Sequence, residues 1–127
     1  MRRLSPPLSL LAALLLGSGF PLASASDALV PGTDFHATGS IPCATAAGQP
    51  MTSCPFGVRR EGSGAARVTV FLPGGASRVI RFEQGRATGI EGSTSGTAFS
   101  TDREGDLTRI RAGDERFEIP DAVVFGG

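Results

Sequence analysis

Acid–base or triad chemistry in this chain would have to run through His36, its single histidine. Asp34 and Thr38 lie two positions to either side, and side chains that near in sequence rarely converge on one reacting atom. The chain has no Gly-x-Ser-x-Gly elbow and no His-Glu-x-x-His helix. A Ser-x-x-Lys pair is impossible, because there is no lysine. With 12 acidic residues, paired carboxylates are easy to find, so Glu115 and Glu118 carry no weight by themselves. Gly62-Ser63-Gly64 and Gly74-Gly75 precede strand-like runs and not helical ones, so they read as turns and not as phosphate cradles. No residue is assigned a catalytic role. An enzyme would take the form of a small periplasmic hydrolase or lyase relying on His36, and it is the weaker alternative.

Cys43 and Cys54 enclose ten residues. Redox motifs place their cysteines two residues apart, and zinc sites need four Cys or His ligands. Two cysteines and one histidine fit neither pattern, so one structural disulfide is expected, with no metal and no cofactor. Closing a ring of this size stabilises a fold by about 3 kcal/mol in the chain-entropy model.

All 12 basic residues are arginine. Arg59, Arg67, Arg78, Arg81, Arg109, Arg111 and Arg116 fall in strand-like runs, and Arg86 opens one. Arg109 and Arg111 share a face, which neighbouring strands could align with Arg81. Such a face could grip a phosphate or carboxylate in bidentate fashion. Glu83, Glu115 and Glu118 are spaced to alternate with these arginines, which favours a solvated face of ion pairs worth under about 1 kcal/mol each.

The elements that position these residues come after a leader. Arg2 and Arg3, a nine-residue apolar run from Leu8 to Leu16 and the small-x-small triplet Ala23-Ser24-Ala25 have the order of a secretory signal peptide, with cleavage expected after Ala25. The run is about half of the ~20 residues a spanning helix needs, so no stable membrane anchor is expected after cleavage. Without the leader, ten arginines face 12 acids over 102 residues, a formal charge of −2. That balance gives no electrostatic support for a nucleic-acid or anionic-membrane partner. The absence of asparagine excludes N-glycosylation, and the absence of Trp and Tyr weakens the case for a carbohydrate-stacking platform.

The mature length suits one domain, 35–127, after a flexible leader, 26–34. From Phe35 to about Pro55 there is no helical or strand period, only Gly, Pro, Ala and Thr around the cysteines, which reads as a disulfide-closed loop. From Phe56 onward, short alternating runs are cut by turn residues every eight to twelve positions: 56–60, 67–72, 78–83, 87–90, 97–101, 107–111 and 116–120. The expected fold is all-β, a small antiparallel meander or barrel of about seven short strands without a helix. Pro120 makes 122–125 an edge strand or a tail over the barrel mouth. Phe82, Phe99, Phe117 and Phe125 are expected in the core. Phe71 is the exception, because it opposes Val68 and Val70 in the alternation, and it is expected to line a second buried face or a groove.

The stretches Phe35-His36-Ala37-Thr38-Gly39-Ser40-Ile41-Pro42-Cys43-Ala44, Gly48-Gln49-Pro50-Met51 and Cys54-Pro55-Phe56-Gly57-Val58-Arg59 resemble a pattern in a family of small exported bacterial proteins of uncharacterised function. The strand-rich tail with its Pro-Gly-Gly turn, ending near Ile119-Pro120-Asp121-Ala122-Val123, extends the resemblance over nearly all of the mature chain. The resemblance implies a bacterial, periplasmic or secreted location. It supplies no catalytic or binding residues. Gln49 and Met51, in the cross-linked loop, join Arg81, Arg109 and Arg111 as a candidate contact surface. A packed structural cap is the competing role for that loop. The favoured function is a non-enzymatic envelope module binding a protein or cell-wall component, and a stress-tolerance protein without a defined ligand is a blander option.

Overall fold

A computed structural model describes residues 27–126; the leader expected over 1–25 lies outside them. The domain is all-β. Eight strands run β1 (Ala37–Ala44), β2 (Thr52–Gly62), β3 (Ala65–Phe71), β4 (Ser77–Glu83), β5 (Arg86–Glu91), β6 (Phe99–Glu104), β7 (Leu107–Ala112) and β8 (Glu115–Pro120), followed by a five-residue helix α1 (Asp121–Phe125). All pairings are antiparallel, in the order β5-β4-β3-β2-β1-β8-β7-β6. The sheet curls into a nearly closed barrel, with a seam between β5 and β6 that carries no ladder.

Alternation builds the interior. Val68 and Val70 from the third strand and Leu72 just after it, Ile80 and Phe82 from the fourth, Ile110 from the seventh, and Phe117 and Ile119 from the eighth all point inward and are buried. Ile41, Phe56 and Val58 complete this core with the Cys43–Cys54 disulfide, whose cysteines are both fully buried. The bridge crosses from β1 to β2, where Ile41 stands opposite Cys54 and Cys43 opposite Thr52.

That hairpin is the main departure from expectation. The segment 35–55 reads as aperiodic, yet it contains all of β1 and the start of β2, so the strands number eight. Its prolines hid it. Each sits where the strand has a laddered neighbour on one side only: the β1–β8 register begins at Cys43, one residue after Pro42, and the β2–β3 register begins at Phe56, one residue after Pro55. A missing N–H costs no ladder bond there.

The tail also differs. Residues 121–125 form a short helix where none was expected, and of the two forms considered it is the tail over one end of the barrel. Val124 is buried, but Phe125 is 55% exposed, its ring lying over Gly85 rather than in the core. Arg103 fastens the helix with two hydrogen bonds to Asp121, of 3.0 and 2.8 Å. Phe99 is only partly buried against the core. Phe71 lies on the opposite face from Val68 and Val70 but is 42% exposed, covered only in part by Phe35, which it meets edge-on with ring centroids 6.3 Å apart. Phe35 lies directly on Gly57, where any Cβ would collide with the ring.

The described part of the expected flexible leader, 27–34, folds back on the barrel. The Val30 N–H donates to the Phe35 carbonyl (2.7 Å), and the Thr33 hydroxyl donates to the Val30 carbonyl (2.9 Å). Arg60 holds this segment and the helix together, donating to Asp27 Oδ1 (3.0 Å) and to the Val123 carbonyl (3.0 Å).

Candidate functional site

The β7–β8 turn, Gly113-Asp114, is a two-residue hairpin connection, and it sets the register of everything beside it. Ala112 pairs with Glu115, Arg111 with Arg116, and Arg109 with Glu118. Because Ile110 and Phe117 face the core, Arg109, Arg111, Arg116 and Glu118 all face outward. On the other flank of β7, Ser100 stands opposite Arg111, and Asp102 opposite Arg109.

These side chains line a groove of about 450 Å³ on the outer face of β6–β8, and Met51 of the β1–β2 loop forms part of its wall. The loop is tied to the strand it overhangs, since the Arg116 guanidinium donates to the Gln49 carbonyl. The Gln49 side chain is turned inward on its own loop. Its Oε1 accepts from the Thr45 N–H (2.6 Å) and the Ala46 N–H (3.3 Å). Gln49 is therefore a clasp that shapes the groove wall, with its side-chain oxygen taken up within the loop.

Of the candidate contact residues, the groove unites Met51, Arg109 and Arg111. Arg81 is elsewhere. It lies on β4, which adjoins β3 and β5 and not β7, and it donates to Glu91 (2.8 Å), a carboxylate it shares with Arg67. The alignment of Arg81 with Arg109 and Arg111 fails because shared outward phase says nothing about which strands are neighbours. The hairpin turn did carry a usable signal for Arg116 and Glu118: counting back from Gly113-Asp114 pairs them with Arg111 and Arg109.

The groove is polarised along the strands. Arg109 is neutralised by Asp102 (2.8 Å) and Glu104 (3.1 Å). Its hydrogen bond to Asp102, with the attraction of the charges, holds that carboxyl below the usual carboxylate range. At the other end, near the loop, stand Arg111 and Arg116, with the Ser100 hydroxyl beside them. Among the described residues Arg111 has no ion-pair partner, in contrast to Arg67, Arg78, Arg81, Arg103 and Arg109.

Arg78 departs from the expected solvated face. It shares the inward phase of Ile80 and Phe82 and makes a two-pronged contact with Glu115 (2.9 and 2.8 Å), each side chain 17% exposed. Its hydrogen bonds to Glu115, more than the charge of that carboxylate, hold the Arg78 guanidinium above its ordinary range.

His36 sits at the other end of the barrel from the loop, just before β1. Its Nδ1 accepts the backbone N–H of Arg60 (2.8 Å), and Asp27 Oδ2 is 3.9 Å from the same nitrogen. Neither Asp34 nor Thr38 contributes a side-chain hydrogen bond to it; the backbone carbonyl of Asp34 instead accepts from Arg59 (2.7 Å). Among the described residues no three His, Cys, Asp or Glu side chains gather as metal ligands. Compared with known proteins, the chain matches no family model, no curated protein and no solved structure.

Proposed function

We propose that this protein is a non-enzymatic, extracytoplasmic module of the bacterial envelope that binds a protein or cell-wall component through the groove beside the disulfide-tied loop. The observation that carries this reading is the groove itself. Met51, remote in sequence, meets Ser100, Arg111 and Arg116 of the β6–β8 meander on one outer face, with an unpartnered guanidinium among them. Rigid elements hold each of them: β6, β7 and β8 supply the floor, and the hairpin carrying the disulfide supplies the wall.

The location rests on three supports. The Arg2-Arg3, apolar and Ala-Ser-Ala order of the first 25 residues is that of an export signal. The disulfide suits an oxidising, extracytoplasmic compartment. The resemblance to small exported bacterial proteins points the same way.

The test is capture from periplasmic and cell-wall extracts by the oxidised protein, in parallel with Met51→Glu and with Arg86→Glu on the β5 strand. The expected result is a partner that both wild type and Arg86→Glu retain and Met51→Glu loses. Equal capture by all three, or capture by none, overturns the groove as the contact surface.

A further inference from the structure

Like charges placed directly opposite one another on neighbouring strands repel, yet Arg111 faces Arg116 across β7–β8 on the outer surface. Arg116 is occupied by the Gln49 carbonyl, while Arg111 has no acceptor among the described residues. An arrangement of this kind is relieved by an anion between the two guanidinium groups.

The surroundings narrow which anion. Arg109 is already taken up by Asp102 and Glu104, so the positive charge open to a ligand is that of Arg111 and Arg116, with the Glu118 carboxylate further along the groove. Between those carboxylates a monoanion meets less repulsion than a doubly charged phosphate. The planar guanidinium and the adjacent Ser100 hydroxyl match the two oxygens of a carboxylate. Glu118 lies two residues further along the strand pair, about 7 Å away. That distance is roughly two residues of extended peptide, and Glu118 has no ion-pair partner among the described residues, so it can accept an N–H. Met51 supplies apolar surface beside the cationic end.

We propose that the groove recognises the free carboxylate end of a short peptide. The carboxylate sits on Arg111, Ser100 and Arg116, a small apolar side chain lies against Met51, and the peptide runs toward Glu118. This assignment rests on the contact-module reading and names its ligand class.

The probes are acetyl-alanyl-alanine, its C-terminal amide and inorganic phosphate. Each is titrated at equal ionic strength into the oxidised protein, and the backbone amides of Ser100, Arg111, Arg116 and Met51 are followed by NMR. The free acid is expected to shift these amides saturably and the amide to bind about tenfold more weakly. Arg111→Gln, an exposed strand substitution, is expected to abolish that difference. Equal binding of acid and amide, stronger binding of phosphate, or an unchanged preference in Arg111→Gln overturns the carboxylate assignment. If neither peptide binds while Met51→Glu still loses its captured partner, the carboxylate assignment falls and the contact module stands.

Discussion

At the scale of single residues, the chemistry that singled out His36 turns out to serve the backbone. The nitrogen Nδ1 satisfies the Arg60 N–H at the point where β2 bulges, between Arg60 and Gly62. A bulge leaves ladder groups without strand partners, so a side-chain acceptor there has a structural use. His36→Ala is expected to cost about 1–2 kcal/mol, the price of leaving that donor half-buried and unpaired. A urea titration reads this as a lower midpoint with an unchanged slope. The same variant should leave the amides of Ser100, Arg111 and Arg116 where they are, since these residues belong to the other end of the barrel. A shift confined to those groove amides would contradict the separation of the two ends.

At the scale of elements, the loops and termini are held by arginines rather than by length of contact. Arg116 tethers the β1–β2 loop, Arg60 gathers the N-terminal segment and the helix, and Arg103 clamps the first residue of the helix. A five-residue helix is far too short to persist alone, so α1 depends on Val124 and on that clamp. The hydrogen bond from Arg103 keeps the Asp121 carboxyl below its ordinary value of 3.8. A carboxylate depressed in the folded state contributes stability above its unfolded value, and loses it as pH falls through the folded one. The helix is therefore expected to hold at neutral pH and to loosen only in acid below that ordinary value. Arg103→Gln should raise the pH at which this happens. NMR of the Val124 methyl groups against pH reads both midpoints, and identical midpoints would mean that Arg103 does not control the helix.

At the scale of the whole molecule, the barrel has a weak line. The ladder runs unbroken from β5 round to β6, but those two edges face each other without pairing. The Arg78–Glu115 contact joins β4 to β8 on either side of this line and fills the adjoining end of the interior. Breaking it with Glu115→Gln is expected to cost about 1–2 kcal/mol, discounted for its partial exposure. Hydrogen exchange should then quicken first at the edge strands β5 and β6, while β1 and β2, cross-linked by Cys43–Cys54, and the neighbouring β3 stay protected. Uniform quickening across all strands would show that the contact supports the fold as a whole and not the seam.

Local chemistry along the chain was enough to determine the all-β class, the strands from 67 to 120 apart from the bounds of β6, which is shifted from the expected 97–101 to Phe99–Glu104, the Val68–Val70–Leu72 face, the opposite phase of Phe71 and the pairing of Cys43 with Cys54. Each of these depends on alternation, on turn residues or on counting cysteines, and those properties reside in a few neighbouring positions. The first hairpin stayed hidden because Pro42 and Pro55 look like strand breakers until it is known which side of each strand has a neighbour. Tertiary structure alone decided that Arg81 belongs with Glu91, that Arg78 turns inward to Glu115, and that Met51 crosses to Arg111 and Arg116. Phase along a strand tells which face a side chain takes. Only the order and curl of the strands bring distant residues onto the same patch of that face.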